Sequence, residues 1–276
     1  MDPVTDTAPD SESLRLLADS VRTTMTTTSG AKLDAALVDL GWLDMLDEMP
    51  DTAIPLVFRL LGETGAHAPV LNDVVLSAAG GMPGGTLPLP FAGGSWVVWE
   101  RGDGPSSAID DELPIHRVAQ GDPLPLAALH AGWRALGWWL VGTSRAMLSL
   151  ARQHAVDRVQ FGRRISSFQA IRHRLAETLV AIEGAEATLH IAVQPDEPDG
   201  LASLLAKAAA GQAALTTARH CQQVLGGIGF TAEHQLHHHV KRSLILDGLL
   251  GSARELTREA GKTLRTKGFA PRLAQL

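Results

Sequence analysis

Apolar positions in this chain recur mostly with helical period, interrupted once by a short stretch of strand-like alternation. Leu14, Leu17, Ala18 and Val21 return at spacings of three and four, as on one face of a helix. A second helix is expected over residues 31–43, burying Leu33, Leu37, Leu40 and Leu43. A third is expected over 52–61, ending near Gly62, and a short fourth over 71–79. Pro55 is placed in the first turn of the third, where a missing N–H costs little. Residues 1–12, MDPVTDTAPDSE, are polar and read as a loose arm.

Residues 81–123 have a different texture. GMPGGTLPLPFAGG reads as a breaker-rich connector, SWVVWE alternates like a strand, and ELPIHRVA is a second strand candidate. A hairpin or a scrap of sheet fits here, but a full barrel or a doubly wound sheet does not, because so few strands bury too little face. From Leu124 onward helical period dominates, over 125–158, 167–193, 201–225, 232 into 244–250, and 252–264. PDEPDG at 195–200 reads as a turn. Long helices with short connections predict an antiparallel bundle, and their broad lateral faces predict an oligomer. The expected architecture is mainly α: an N-terminal helical domain over 1–80, a reduced linker or β segment over 81–123, and a C-terminal helical bundle over 124–276.

Composition narrows the function classes. The 276 residues are 45% hydrophobic and 20% charged, as in a soluble globular protein. Lys and Arg total 24 against 30 Asp and Glu, which gives no support to nucleic-acid binding. The excess acid is concentrated in residues 1–80, where 4 basic residues face 13 acidic ones. A lone cysteine, Cys221, excludes an intrachain disulfide and any multi-cysteine metal site. The opening residues are acidic, unlike a secretory signal, and no apolar run reaches membrane-spanning length, so a cytoplasmic protein is expected. Tyrosine is absent, which removes the phenolic general acid.

Few segments suggest chemistry. No G-x-G-x-x-G follows a strand and no phosphate-binding P-loop is present, so the glycine pairs at 80–81, 84–85 and 93–94 read as turns. Gly226, Gly227 and Gly229 lie between two helices and fit either a helix cap or close approach to a phosphate. Between Arg145 and Arg174, seven arginines accompany one acid, Asp157. That excess fits either dipole complementation at a helix end or a pyrophosphate ligand. His234, His237, His238 and His239 lack an obvious third ligand type and an H-E-x-x-H order, so solvent or interface histidines are the simpler reading and no metal site is expected. Trp133, Trp138 and Trp139 fit packing of the long helix, with an acyl cavity as the alternative. Nothing around Cys221 marks a nucleophile.

Two blocks taken together carry a resemblance. The first is Arg158-Val-Gln-Phe-Gly162, continuing to Ile165, Phe168 and Gln169; the second is Gln223-Val-Leu-Gly-Gly227-Ile-Gly-Phe230-Thr-Ala-Glu233. Their order and separation resemble the C-terminal helical domain of acyl-CoA dehydrogenases, over about residues 124–265. More weakly, LLGETGAHAPV resembles the segment that leads into that family's middle domain. The resemblance implies an FAD enzyme, usually tetrameric, with two helical domains flanking a β-barrel. It assigns Arg158 to the FAD pyrophosphate of a neighbouring subunit, Phe161 and Gln169 to its adenine side, and Gln223, Gly226 and Gly227 to the ADP portion.

Two departures bear on function. The family's middle β-domain spans over a hundred residues, whereas only 81–123 separate the helical halves here. The family's catalytic glutamate, counted on from Glu233, falls on Leu250, and an alternative base position on the first long helix falls on Gly132. Leucine and glycine cannot take a proton. Asp247 and Glu233 are the carboxylates left nearby, and the balance favours a chain that supplies no base. The resemblance therefore implies a short subunit paired with a longer acyl-CoA dehydrogenase subunit, as an α2β2 heterotetramer acting on an acyl-CoA thioester. Such heteromers are associated with steroid degradation, and electrons would pass to an electron-transfer flavoprotein or similar acceptor.

Overall fold

Residues 11–102, 104, 106, 108–193 and 200–270 are described by a computed structural model. Helix α1, Ser11–Thr27, begins inside the segment read as a loose arm; the rest of that arm lies outside the described residues. The helix expected over 31–43 is two helices, α2 (Gly30–Asp39) and α3 (Trp42–Glu48). Gly41 divides them, with a left-handed φ of 84° that glycine adopts without steric cost. Leu33 and Leu37 are buried as expected, but Leu40 and Leu43 only half-buried. Helix α4, Pro50–Thr64, starts earlier than its expected position because Pro50 occupies the first turn. Pro55 therefore lies inside the helix rather than in its first turn. Helix α5 is Val70–Ala78.

Strands β1 (Pro88–Phe91), β2 (Ser95–Trp99) and β3 (Ile115–Val118) form an antiparallel sheet in that order. Strand β1 lies in the segment read as connector. Pro88 and Pro90 look like breakers in sequence, yet an edge strand tolerates residues that cannot donate to the ladder. Pairing of Leu89 with Val97 and of Trp99 with Ile115 puts four buried residues on one face. Trp99 of that face stacks on Trp139, with ring centroids 5.6 Å apart.

Helix α6, Leu126–Asp157, is the central strut; its 32 residues extend about 48 Å. A two-stranded hairpin follows, β4 (Val159–Gln160) and β5 (Arg163–Arg164), then α7 (Gln169–Ile191) and α8 (Leu201–Leu225). Helices α9 (Leu236–Gly248) and α10 (Ala253–Lys267) complete the bundle. Most of the turn expected at 195–200 lies outside the described residues; Gly200 caps the start of α8. One continuous core runs from Val21 to Ala260 and joins the N-terminal helices, the sheet and the bundle. A smaller one, including Met147, Ala155, Cys221, Val224 and Leu236, ties the end of α6 to the end of α8 and the start of α9. Among the described residues, no helix is long and apolar enough to cross a membrane.

Candidate functional site

Both motif blocks sit at that second core. Arg158 ends α6 with its side chain exposed; its N–H donates to His154 O at 2.9 Å and its carbonyl accepts from Ile165 N–H at 2.9 Å. The first bond caps α6 and the second closes the base of the β4–β5 hairpin, whose two-residue turn places Phe161 at φ 54° and Gly162 at φ 76°. Positive φ at both turn positions matches the twist of a tight hairpin, but only Gly162 adopts it freely. The strained turn lifts Phe161 out of the protein, where its side chain is 90% exposed. Its ring meets Phe168 edge-on at 6.0 Å, and the Arg163 guanidinium covers Phe168 at 4.1 Å. Gln169 follows as the exposed first residue of α7.

The second block lies where α8 ends. Gln223 and Gly227 are exposed, and Gly226 terminates the helix with φ 64° and ψ −140°, a conformation suited to glycine. The chain then makes a 3-10 turn over Gly226–Phe230, which leaves Ile228 and Phe230 exposed. The small core anchors both blocks from beneath, with Ile165 and Ile171 packed on the same cluster as Val224 and Leu225. This end of the bundle therefore presents exposed arginines, exposed aromatic rings and a glycine turn. Burial pushes the Cys221 thiol, in the core below, up to about 12, so it stays protonated and inert.

The opposite end of the bundle brings together Gly132 and Leu250. A Cβ at Gly132 would overlap Leu250 Cδ1 and lie 3.3 Å from Val75 Cγ2. Leu250 is 3% exposed and has a φ of 56°, costly for a residue with a side chain. Its backbone is held on both sides: its N–H donates to Pro90 O at 2.8 Å, and its carbonyl accepts from Trp133 Nε1 at 2.9 Å. An isolated bridge pairs Phe91 with Leu249. Strand β1 thus covers the connection between α9 and α10.

Neither remaining carboxylate shares that spot freely. Glu233 is exposed ahead of α9, whose 13 residues put about 20 Å between its ends. Asp247 is buried, and its Oδ1 accepts the Ala253 N–H at 3.0 Å at the start of α10. Sequence reasoning missed Lys207. Fully buried on α8, it donates Nζ to Asp247 O at 2.6 Å and also to Gly251 O. Burial lowers its pKa to about 8 against the opposing pull of Asp247 and Glu255. One lysine among the alanines of α8 was the available signal, but long-range carbonyl partners leave no local pattern.

The histidines divide. His237 Nδ1 lies 2.8 Å from His234 O, His238 pairs with Glu112 at 3.1 Å, and His239 lies near Gly65. Among the described residues, no group of three His, Cys, Asp or Glu side chains is arranged to hold a metal. Trp133, Trp138 and Trp139 are all buried, with Trp139 edge-on to Phe58 at 5.6 Å.

Residues 120–261, which contain both blocks and the Gly132–Leu250 contact, match the acyl-CoA dehydrogenase C-terminal domain. The chain belongs to the acyl-CoA dehydrogenase family. It is 35% identical over 192 residues to the acyl-CoA dehydrogenase FadE34 of Mycobacterium tuberculosis, covering 63% of this chain and 27% of that protein. It is 40% identical over 118 residues to the acyl-CoA dehydrogenase IpdE2 of the same organism, covering 43% of this chain and 36% of that protein. The matched stretches thus span about a quarter to a third of these relatives. In fold it is similar to a putative acyl-CoA dehydrogenase of Mycobacterium smegmatis, with TM-score 0.74, 16% identity, and coverage of 95% of this chain and 99% of that one. It is also similar to a chain of the M. tuberculosis ChsE4–ChsE5 complex, with TM-score 0.67, 17% identity, and coverage of 93% and 98%.

Proposed function

We propose that this chain is one subunit of a heteromeric FAD-dependent acyl-CoA dehydrogenase, paired with a longer relative in an α2β2 assembly. The substrate would be a bulky acyl-CoA of steroid origin, and the reaction its α,β-dehydrogenation. The observation that carries the reading is the contact of Leu250 with Gly132: two positions where relatives carry a base converge on one spot, and that spot holds only hydrocarbon. A second distance supports it. Gly132 and Asp157 stand 25 residues apart on α6, about 38 Å, more than one flavin dinucleotide spans. The arginine end of this chain therefore suits a site other than the one beside its own Leu250. A paired, steroid-directed reading is in keeping with the similarity of this chain in fold to the ChsE4–ChsE5 complex and to a Tcur3481–Tcur3483 steroid acyl-CoA dehydrogenase.

The residues at the arginine end fit one edge of FAD. Arg158 would meet the pyrophosphate with a forked donor set, Phe161 and Gln169 would seat the adenine side, and Gln223, Gly226 and Gly227 would face the ADP portion. Phe161 is the fitting detail, because its ring is held on a strained turn with 90% exposure and meets its own chain through an edge contact with Phe168. The small sheet leaves the flavin ring to be cradled by the partner. FAD, when bound, supplies the hydride acceptor. The α-proton leaves to a carboxylate of the partner, and an electron-transfer flavoprotein or similar acceptor takes the electrons onward.

Expression alone and with a longer relative tests this. The expected result is a yellow, active complex on co-expression and a colourless, inactive chain alone. Arg158→Ala should lower bound FAD in the complex at least about tenfold, as loss of a charge-assisted contact predicts. Stoichiometric FAD and turnover by the chain alone would overturn the proposal. An active complex whose flavin content ignores Arg158→Ala would point instead to a noncatalytic structural or regulatory subunit with a vestigial flavin surface.

A further inference from the structure

Three side chains, Phe161, Arg163 and Phe168, join the tip of the β4–β5 hairpin to the start of α7. Phe168 is half-buried and stands at the N-cap position of α7. Its ring lies at 85° to the Phe161 ring, with centroids 6.0 Å apart, the edge-on arrangement that aromatic quadrupoles favour. The Arg163 guanidinium carbon lies 4.1 Å from the centroid of Phe168, well within cation–π range. Arg163 is exposed, and among the described residues no carboxylate pairs with it.

This row of side chains matters because the hairpin backbone does little to hold its own tip. Its ladder is two residues long on each side, Val159 opposite Arg164 and Gln160 opposite Arg163. A two-stranded hairpin of that size has marginal stability by itself. The bonds from Ile165 N–H to Arg158 O, at 2.9 Å, and from Phe168 N–H to Ile165 O, at 3.1 Å, fasten the base and not the turn. The turn works against order, since the positive φ of Phe161 is costly for a residue with a side chain. Gln169 follows Phe168 directly as the first residue of α7. The contact of the three side chains thus relates Phe161 to Gln169, the two residues that would seat the adenine side of FAD.

We propose that Arg163 is a positioning residue for the cofactor: by covering Phe168 it holds Phe161 and Gln169 in one arrangement before FAD arrives. The inference rests on the reading that this end of the chain faces FAD, and it names what orients the residues that do so. Ordering an exposed side chain at the moment of binding costs free energy, so a ring ordered beforehand gives tighter binding. The strength of an exposed cation–π contact converts to about two- to fivefold in affinity. The Arg163 charge is spent on a ring, so its influence on FAD passes through Phe168 and Phe161.

Two measurements test this. In the full chain alone, with its 6 phenylalanines replaced by 4-fluorophenylalanine, fluorine NMR gives a signal for Phe161 that Phe161→Leu assigns. Arg163→Gln, an exposed change that leaves the core intact, is expected to sharpen that signal and move it to the position of the free amino acid. A signal that stays in place overturns the proposal. The second measurement is FAD retention by the co-expressed complex, read as flavin released on dilution. Arg163→Gln is expected to weaken retention about two- to fivefold, with no further loss when Phe161 is already leucine. An equal loss in that background overturns the proposal, because Arg163 then acts on FAD by itself. FAD weakened by Phe161→Leu but untouched by Arg163→Gln overturns this inference alone. FAD held in full by Phe161→Leu overturns the reading of the arginine end, and this inference with it.

Discussion

Gly132 and Leu250 show how two unremarkable residues acquire meaning from contact. In sequence each is merely the absence of a carboxylate, while in the fold each is fitted to the other. Gly132→Ala should force Leu250 aside and cost about 1–3 kcal/mol, the usual range for overpacking. Leu250→Ala should cost about 2–5 kcal/mol by leaving a cavity. The double variant should be less destabilised than the two singles summed, because the smaller side chain makes room for the added methyl. Urea denaturation of all four proteins measures the coupling; strict additivity would mean that the contact does not exist in solution. Phe161 makes the complementary point. Its identity was legible in a motif, but its exposure depends on a turn with two positive φ angles.

At the scale of elements, the connection between α9 and α10 is held from several sides. Strand β1 bonds it from one side, Trp133 from another, and Lys207 from beneath through the carbonyls of Asp247 and Gly251. Helix α10 starts with a capping box between Ser252 and Glu255, and Glu255 also accepts the Gly93 N–H at 2.9 Å. These bonds, led by the Gly93 N–H, hold the Glu255 carboxyl at about 2. Lys207→Met keeps the volume but leaves two carbonyls without their donor, a loss of about 1–3 kcal/mol. Hydrogen exchange at the Leu250 and Gly251 amides should accelerate in that variant while α6 stays protected. Unchanged exchange there would assign Lys207 to general core packing.

For the whole molecule, buried neutral imidazoles make stability depend on pH on the acid side. His67 and His239 are both held at about 4, chiefly by burial, with the Arg242 charge adding to it and Asp110 opposing. An unfolded histidine titrates near 6.5, so between 6.5 and 4 the unfolded chain binds more protons and stability falls as pH falls. Thermal midpoints should therefore drop across that window, and a His67→Gln, His239→Gln variant should flatten the slope; an unaltered slope would place the acid-sensitive groups elsewhere. The bundle itself was readable from sequence, because α6, α7 and α8 are long enough for periodicity to average over local exceptions. Shorter elements were not: Gly41 split a helix that apolar spacing had made continuous, and β1 hid behind prolines that only an edge strand accepts. The family motifs were equally visible, since Arg158, Phe161, Gln169 and the glycine turn are each local in the chain. Hydrophobic period and short motifs are properties of neighbours along the backbone, which is why reading residues in order recovered the helices and the family. Convergence of Gly132 with Leu250, burial of Lys207 beneath two distant carbonyls, and the separation of the arginine end from both are relations between residues far apart in the chain, and packing alone brings them into being.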